Sequence, residues 1–326
     1  MKIKTRNKNK NKKVLAFAHY YITHNRGGGE VMLHEILKQF VKDGYEVDAV
    51  ATNNIGQVQD VDGIKVHHGN QYRDIDITPY DIIVTHFSES FHITPIAKKK
   101  KKKVIYIVHN TMAETSNYLN TMKPDLVIFN TNWVKNYHKY EGESIVVHPP
   151  VYMDQHATSS TGSAITLVNL TPSKGSNMFY NMAFRLPKYQ FLGVEGGYWK
   201  DKQVYINRRN IAFQKNTPNM RDDVWSKTKV LLMPSSYESY GMVAAEALAS
   251  GIPVIASPTP GLVESLDYAG IFPRSASIRD WKSEISKLMS NSSYYQERSE
   301  LAIKRSKEID PKKELKLLSK RLKEIL

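Results

Sequence analysis

The sequence contains no cysteine, which excludes disulfide bonds and thiolate zinc sites. It also contains no apolar run close to the roughly 18 residues that a transmembrane helix needs. The basic N-terminus leads into a short apolar run with no small-residue cleavage site, which is not the pattern of a signal peptide. Together these absences predict a cytoplasmic protein.

Acidic side chains are the minority, with 32 Asp and Glu against 46 Lys and Arg and a net charge of +14. The excess is concentrated in three segments. Residues 1–13 carry seven basic side chains and no acid, residues 98–103 are six consecutive lysines, and residues 304–326 carry nine basic and four acidic side chains. Such runs usually form a solvated face or a disordered arm. The alternative is a polyanionic partner, either a nucleic acid or an anionic membrane surface.

Apolar segments of strand length alternate with segments of helical spacing. In the first half the strand-like segments are rich in β-branched residues: KVLAFA, EVDAVAT, DIIVTHF, KVIYIVHN and DLVIFNT. In the second half they are AITLVNL, YQFLGV, NIAFQ, KVLLMP and IPVIAS, with helices predicted near 175–186, 220–227 and 241–250. Nearly continuous apolarity is typical of parallel strands covered on both faces.

The length of 326 residues and the repeated alternation predict an α/β fold with two Rossmann-like domains. We place them at residues 1–152 and 164–310, with the stretch YMDQHATSSTGS between them as a linker. Residues 311–326 are predicted to form an amphipathic packing helix.

The segment PSSYESYGMVAAEALAS puts Glu238 and Glu246 eight positions apart, after an apolar strand and around the start of a helix. The N-terminus of such a helix offers free N–H groups and a positive dipole end to a phosphate. Side chains eight apart share one helix face, so both carboxylates could accept from sugar hydroxyls. The alternative for either residue alone is an N-capping acid or a surface glutamate.

The longer string PSSYESYGMVAAEALASGIPVIASPTPGLVES resembles the signature of the family 4 retaining glycosyltransferases. The resemblance extends over most of the chain and implies the GT-B fold, in which two Rossmann-like domains face each other across a cleft. It implies that Glu238 contacts the donor sugar and that Glu246 binds the ribose hydroxyls. The backbone of Tyr240, Gly241 and Met242 would cradle the diphosphate or sugar, with Tyr240 standing where the family usually has phenylalanine.

The segment LVNLTPSKGS resembles the family's phosphate loop, in which an arginine and a lysine five residues apart hold the leaving diphosphate. Lys174 matches the lysine, but Asn169 occupies the arginine position and removes a bidentate clamp. Either Asn169 donates a neutral hydrogen bond or another cation substitutes, the candidates being Arg73, Arg208 and Arg209. Outside this register, a Lys-Gly pair after a strand is usually a turn.

In the first domain, HYYITHNRGGGEVML resembles the family's Gly-Gly-x-Glu loop, with Gly27 and Gly28 expected near the donor pyrophosphate. A triple glycine alone indicates only a flexible loop. VIYIVHNTM ends in His109, which the resemblance places beside the donor sugar and the acceptor, although most such histidines are structural. The acceptor pocket would be shaped by three further residues: His19, Tyr20 and Asn110.

The resemblance implies a metal-independent, retaining hexosyl- or pentosyltransferase in which His109, Glu238 and Lys174 act on the sugar and leaving group. No cofactor is expected beyond the co-substrate, a nucleotide-diphosphate sugar, for which a UDP-sugar is the first candidate. The acceptor hydroxyl would belong to a glycan, a lipid-linked glycan or a modified DNA base, which would place the protein at a membrane or on DNA. Two alternatives stay open: a non-catalytic nucleotide- or polyanion-binding protein, and another enzyme of this architecture such as a nucleotide-sugar epimerase.

Overall fold

The computed structural model describes residues 12–325, with gaps at 25, 54–55, 70–74, 160 and 198–199. The start of the basic N-terminal segment and Arg73 therefore lie outside the described residues. The chain divides into two compact units. The first comprises Met1–Pro150 with Lys312–Leu326, and the second comprises Val151–Pro311.

A single sheet forms the centre of the first unit, with the strand order β3-β4-β2-β1-β5-β6-β7-β8. Its strands are β1 (Lys13–Ala18), β2 (Glu46–Ala51), β3 (Gln59–Val61), β4 (Ile64–His68), β5 (Ile82–His86), β6 (Lys103–Val108), β7 (Leu126–Phe129) and β8 (Ser144–Val146). β3 pairs antiparallel with β4, and the other pairs are parallel. The strand order reverses between β1 and β5, and ligands of open α/β sheets bind beyond the carboxyl ends at such a point.

Helices cover this sheet because their apolar residues recur at helical spacing. They are α1 (Gly28–Lys42), α2 (Glu89–Lys99), α3 (Ala113–Met122), α4 (Asn132–His138) and the C-terminal helix (Lys312–Ile325). The C-terminal helix buries Leu315, Leu318 and Leu322. It is joined to α1 by a hydrogen bond of 3.0 Å from Gln39 Nε2 to Ser319 Oγ. The last segment of the chain therefore completes the first unit.

The second unit has its own parallel sheet, with the order β11-β10-β9-β12-β13-β14. Its strands are β9 (Ala164–Val168), β10 (Phe191–Val194), β11 (Ile211–Gln214), β12 (Thr228–Met233), β13 (Val254–Ala256) and β14 (Gly270–Ile271). Here the order reverses between β9 and β12. The loops that follow these two strands, which carry Lys174 and Glu238, are therefore brought side by side.

The helices of the second unit are α5 (Met153–His156), α6 (Ser176–Arg185), α7 (Met220–Asp223), α8 (Met242–Ala249), α9 (Pro260–Leu266), α10 (Ile278–Ser290) and α11 (Ser292–Glu308). The helix predicted near 220–227 is α7 followed by a separate 3₁₀ turn, Trp225–Lys227. The linker predicted before residue 164 contains α5. Ser250 Oγ donates to the carbonyl of His156 at 2.8 Å and accepts from the Thr158 N–H at 3.1 Å. This stretch is therefore part of the second unit.

Two arginines of α11 fix the segment around α9. Arg298 Nη2 donates to the carbonyls of Ala269 and Gly270 at 2.8 and 2.9 Å. Arg305 donates to the carbonyls of Glu264 and Ser265, at 2.8 and 2.9 Å. These bonds tie α11 to the end of α9 and to the chain that leads into β14.

Candidate functional site

The loops after β9 and β12 bring Lys174 and Glu238 together. Lys174 Nζ lies 2.6 Å from Glu238 Oε1, and Ser235 Oγ donates to the same oxygen at 2.9 Å. The Glu238 side chain is only 12% exposed and that of Lys174 is 28% exposed, so the pair is partly withdrawn from solvent. The sequence predicted both residues as site residues, and the structure pairs them.

These two loops are held to each other as well. The N–H of Ser236 donates to the carbonyl of Ser173 at 3.0 Å, and its hydroxyl donates to the same oxygen at 3.2 Å. Gly175 has φ +90°, and a Cβ there would lie 2.3 Å from Cγ of Pro234. Only glycine combines this left-handed backbone with so close a contact, so the packing of the two loops requires glycine at position 175.

Helix α8 begins after this pair. Gly241 has φ +90° and precedes the first helical residue, Met242, and no side chain caps the helix in the described structure. Its first N–H groups thus point toward the edge that holds Lys174 and Glu238, where an anion would be favoured. Glu238 lies outside the helix, so the argument that it shares a helix face with Glu246 is wrong. The backbone at Tyr240, a buried residue, makes a turn between them.

Glu246 lies on α8 with its side chain 13% exposed, facing the short helix α5. His156 Nδ1 is 3.8 Å from Glu246 Oε2. Burial lowers the pKa of His156 to about 4, so the ring is neutral at pH 7. Glu246 and a neutral imidazole therefore lie together where a hydroxyl could bridge them.

The side chain of Asn169 stabilises the loop after β9 through hydrogen bonds. It adopts φ +72°, and its Oδ1 accepts from the Thr171 N–H at 3.3 Å and from Gln203 Nε2 at 3.1 Å. A Cβ on Gly196 would lie 2.5 Å from Asn169 Cγ. Position 196 therefore has no room for a side chain beside Asn169.

The proposed substitutes for the missing arginine lie elsewhere. Arg208 and Arg209 precede β11, at the amino edge of the parallel sheet, whereas Lys174 follows the carboxyl end of β9. The Arg208 guanidinium lies 4.7 Å over the ring of Phe184. Neither residue can replace an arginine beside Lys174, and Arg73 lies outside the described residues.

In the first unit, His109 follows β6 and contacts a second histidine. Its Nε2 lies 3.2 Å from Nδ1 of His86, the last residue of β5. His86 is fully buried and His109 is 9% exposed. Burial lowers the pKa of His109 to about 3 and holds the pKa of His86 well below its usual value. Both rings are therefore neutral at pH 7, and each has one N–H donor and one acceptor nitrogen.

Two further residues beside His109 were not predicted. The ring of Phe87 lies 4.9 Å from the His109 ring, and Phe87 has φ +51°, which is rare for a bulky residue. A Cβ on Gly29 would lie 2.9 Å from the Phe87 ring. The Phe87 ring therefore leaves no room for a side chain at position 29. The two glycines that the sequence predicted lie at the start of α1, with Gly27 as its N-cap and Gly28 as its first residue.

The predicted acceptor residues lie at the same edge of the first sheet but have different roles. His19 Nδ1 is 3.0 Å from Glu89 Oε1, and its Nε2 is 2.7 Å from Asn53 Nδ2. Tyr20 packs edge-on against the His19 ring. Asn110 Oδ1 accepts from the N–H of Met112 at 3.0 Å and from the hydroxyl of Thr115. His19 is thus oriented by a carboxylate, while the Asn110 side chain stabilises the turn into α3.

The lysine run contacts acceptors of its own unit. Lys98 donates to the carbonyl of Lys123 at 2.6 Å and Lys102 to that of Thr78 at 2.7 Å. Lys103 Nζ lies 3.0 Å from an Asp125 carboxylate oxygen. These contacts favour the interpretation of the run as a solvated face at the amino edge of the sheet.

No helix in the described ranges has the length and apolar character that crossing a membrane requires. Over the same ranges, no group of three or more histidine, aspartate or glutamate side chains is arranged to hold a metal ion. His67 and His68, adjacent on β4, belong to no such group. His67 Nε2 instead lies 3.8 Å from Asp48.

Comparisons with known proteins agree with this architecture. Residues 200–308 match the family described as glycosyl transferases group 1. No curated protein matches the chain. Among solved structures, sucrose-phosphate synthase from Thermosynechococcus elongatus has a TM-score of 0.78 at 14% identity, covering 96% of this chain and 98% of its own.

Two further solved structures also match the fold of this chain. HepE from Anabaena, solved in complex with UDP-glucose, has a TM-score of 0.76 at 13% identity, covering 96% of this chain and all of its own. A glycosyltransferase from Rickettsia africae has a TM-score of 0.74 at 16% identity, covering 96% and 99% of the two chains. The chain therefore has the GT-B fold, and its residues 200–308 carry the sequence pattern of the glycosyl transferases group 1.

Proposed function

We propose that the protein is a retaining glycosyltransferase that moves a hexose or pentose from a nucleotide-diphosphate sugar, with a UDP-sugar as the first candidate, to a hydroxyl acceptor. The observation that carries this proposal is the Lys174–Glu238 pair beside the N-terminus of α8. Lys174 and the N-terminus of α8 offer positive charge to a diphosphate. Glu238 offers a carboxylate to a sugar hydroxyl. The match over residues 200–308 and the UDP-glucose complex of a structure with this fold support it.

In the proposed mechanism, negative charge grows on the diphosphate as the glycosidic C–O bond breaks. Lys174 and the first N–H groups of α8 stabilise that charge without a metal ion. The acceptor oxygen forms its new bond on the face from which the diphosphate leaves, and its proton passes to a diphosphate oxygen. Retention thus needs no side-chain nucleophile.

The carboxylate of Glu238 has two tasks in this scheme. Its Oε1 holds Lys174 and Ser235, which keeps the ammonium group at the edge of the site. Its second oxygen would accept from a donor-sugar hydroxyl. His109, neutral at pH 7, would contact the sugar through a hydrogen bond and would not act as a general acid.

The test is incubation of the protein with a panel of nucleotide sugars, first without an acceptor and then with glycan, lipid-linked glycan and modified-base DNA. A glycosyltransferase releases the nucleoside diphosphate, and the anomeric configuration of its product is read by NMR. Epimerised donor without released nucleotide would indicate the epimerase alternative. Binding without any turnover across the panel would indicate a non-catalytic protein.

We expect Glu246→Gln to weaken UDP binding, since a ribose-binding carboxylate would lose its charged hydrogen bonds, which are worth about 1.5–3 kcal/mol. Calorimetric titration with UDP measures the effect. Glu300→Gln is the matched control, because Glu300 lies on α11 and accepts from Gln296 at the surface. Equal UDP affinity in the two variants would remove Glu246 from the donor site.

The acceptor is proposed to be a polyanion or to lie on one, because basic side chains cluster near both ends of the sequence and at residues 98–103. If it is duplex DNA, the logarithm of affinity should fall with the logarithm of salt concentration, with a slope of about −0.9 per phosphate contacted. An anionic membrane would instead give binding that rises with the fraction of acidic lipid. Transfer to a small neutral acceptor at a rate independent of salt would contradict the polyanion proposal.

A further inference from the structure

A cavity opens between the last turn of α6 and residues 278–286 of α10, on the second unit. Its volume is about 530 Å³. Six residues line it: Arg185, Ile278, Arg279, Lys282, Ser283 and Ser286. Small-molecule sites in proteins typically measure roughly 300–1,000 Å³. This cavity falls in that range and is open to solvent, since four of its six lining residues are exposed.

The side chains that line the cavity are either positively charged or neutral. Three of the six lining side chains are cations, two carry hydroxyls, and none is a carboxylate. The acids that α10 carries beside the cavity have other contacts. Asp280 accepts from Ser275 Oγ at 2.8 Å, and Glu284 interacts with Tyr294.

Other basic side chains of the second unit have hydrogen-bond acceptors or aromatic rings as partners. Arg298 and Arg305 donate to backbone carbonyls, and Lys304 lies 5.1 Å over the ring of Tyr268. In the part of the chain that the structure describes, Arg185 and Lys282 make no such contact, nor does Arg279. Like charges that share a cavity repel each other, and a bound anion would relieve that repulsion.

We infer that this cavity is a second binding site, separate from the proposed donor site, for a small phosphorylated molecule. Guanidinium groups bind phosphate oxygens through paired N–H groups, and two of the three cations are arginines. A phosphate monoester carries about −1.5 to −2 charges at pH 7 and balances this lining better than a single carboxylate does.

The cavity is far from Lys174. Helix α6 begins at Ser176, two residues after Lys174, and Arg185 is its last residue. Ten helical residues separate the two ends by roughly 14 Å. An anion held by Lys174 and one held by Arg185 therefore occupy different sites.

The experiment is calorimetric titration of the full chain with inorganic pyrophosphate, in a Lys174→Ala background that disables the proposed donor clamp. We expect pyrophosphate to bind this background. The triple change Arg185→Ala, Arg279→Ala and Lys282→Ala should weaken that binding at least about tenfold, since each cation supplies a charge-assisted hydrogen bond. A control removes the same formal charge elsewhere on the unit through Lys229→Ala, Lys304→Ala and Lys307→Ala.

The control triple is expected to bind pyrophosphate within about twofold of the Lys174→Ala background, and circular dichroism verifies that each variant is folded. An equal loss in both triples would mean diffuse surface charge and would overturn the inference. Loss of all pyrophosphate binding with Lys174→Ala alone would overturn it too, since the ligand would then occupy the donor site. UDP binding by the cavity triple is measured separately, so that a failure of the proposed function is distinguishable from a failure of this site.

Discussion

Replacing Lys174 with alanine is expected to lower kcat by about 10²–10³-fold, because the ammonium group meets charge that develops on the leaving diphosphate. UDP affinity should fall by less, since the ribose contact proposed for Glu246 does not involve Lys174. Initial rates with saturating donor, together with UDP titration, measure the two effects. A kcat within about twofold of the unchanged protein would place the phosphate clamp elsewhere.

Because Lys174 and Glu238 are 2.6 Å apart, the effects of replacing them should depend on each other. Glu238→Gln keeps the shape of the side chain but removes its charge, so Lys174 loses the group that holds it. We therefore expect the double variant to lose far less activity than the product of the two single losses. Independent, multiplicative effects would show that the two residues act separately on the substrate.

His109→Ala is expected to abolish most sugar transfer while UDP binding stays intact, because this residue is proposed to contact the sugar and to lie away from the nucleotide. His34→Ala is the matched control. His34 is also a buried histidine, hydrogen-bonded to Tyr21 at 2.8 Å and to Asp62 at 3.0 Å. It should lose stability with little change in kcat, measured on protein that thermal melting shows to be folded.

The pair His86–His109 also predicts a pH dependence of stability. The folded pKa of His109 is about 3, below the value of about 6.5 expected for an unfolded chain. Between these values the unfolded chain binds a proton that the folded chain does not, so the free energy of unfolding should decrease as pH falls below about 6.5. Denaturant unfolding at pH 7 and pH 5 measures the decrease. His109→Asn should reduce it if that variant folds, and an unchanged decrease would contradict the assignment.

Much of the fold could be predicted because parallel strands buried on both faces are apolar almost throughout. The runs from Val14 to Ala18 and from Val230 to Met233 are buried strands, as predicted. The hairpin of β3 and β4 was harder to predict, since Asp60 and Lys65 face solvent and its strands are short. The return of the C-terminal helix to the first unit depends on tertiary contacts that no local pattern contains.

In the candidate site, too, some residues could be predicted from the sequence, but their contacts with each other could not. The resemblance of two segments to a glycosyltransferase signature predicted Lys174 and Glu238, and both residues follow strands in glycine-containing turns. Their direct contact depends on β9 and β12 being neighbours, which strand order alone determines. The contact of His109 with His86 has the same origin, since β5 and β6 are adjacent, β5 ends at His86 and His109 directly follows β6. Helical spacing misled for Glu238 because Gly241 turns the chain before the helix begins.

The bonds between Ser173 and Ser236, with Gly175 packed against Pro234, have a consequence for the thermodynamics of donor binding. Both loops are already ordered before a ligand arrives, so binding to the second unit should lose little backbone entropy. Amide hydrogen exchange in these loops should be slow in the free protein and should change little when UDP is added. Most of the binding free energy would then be available for discriminating among donors.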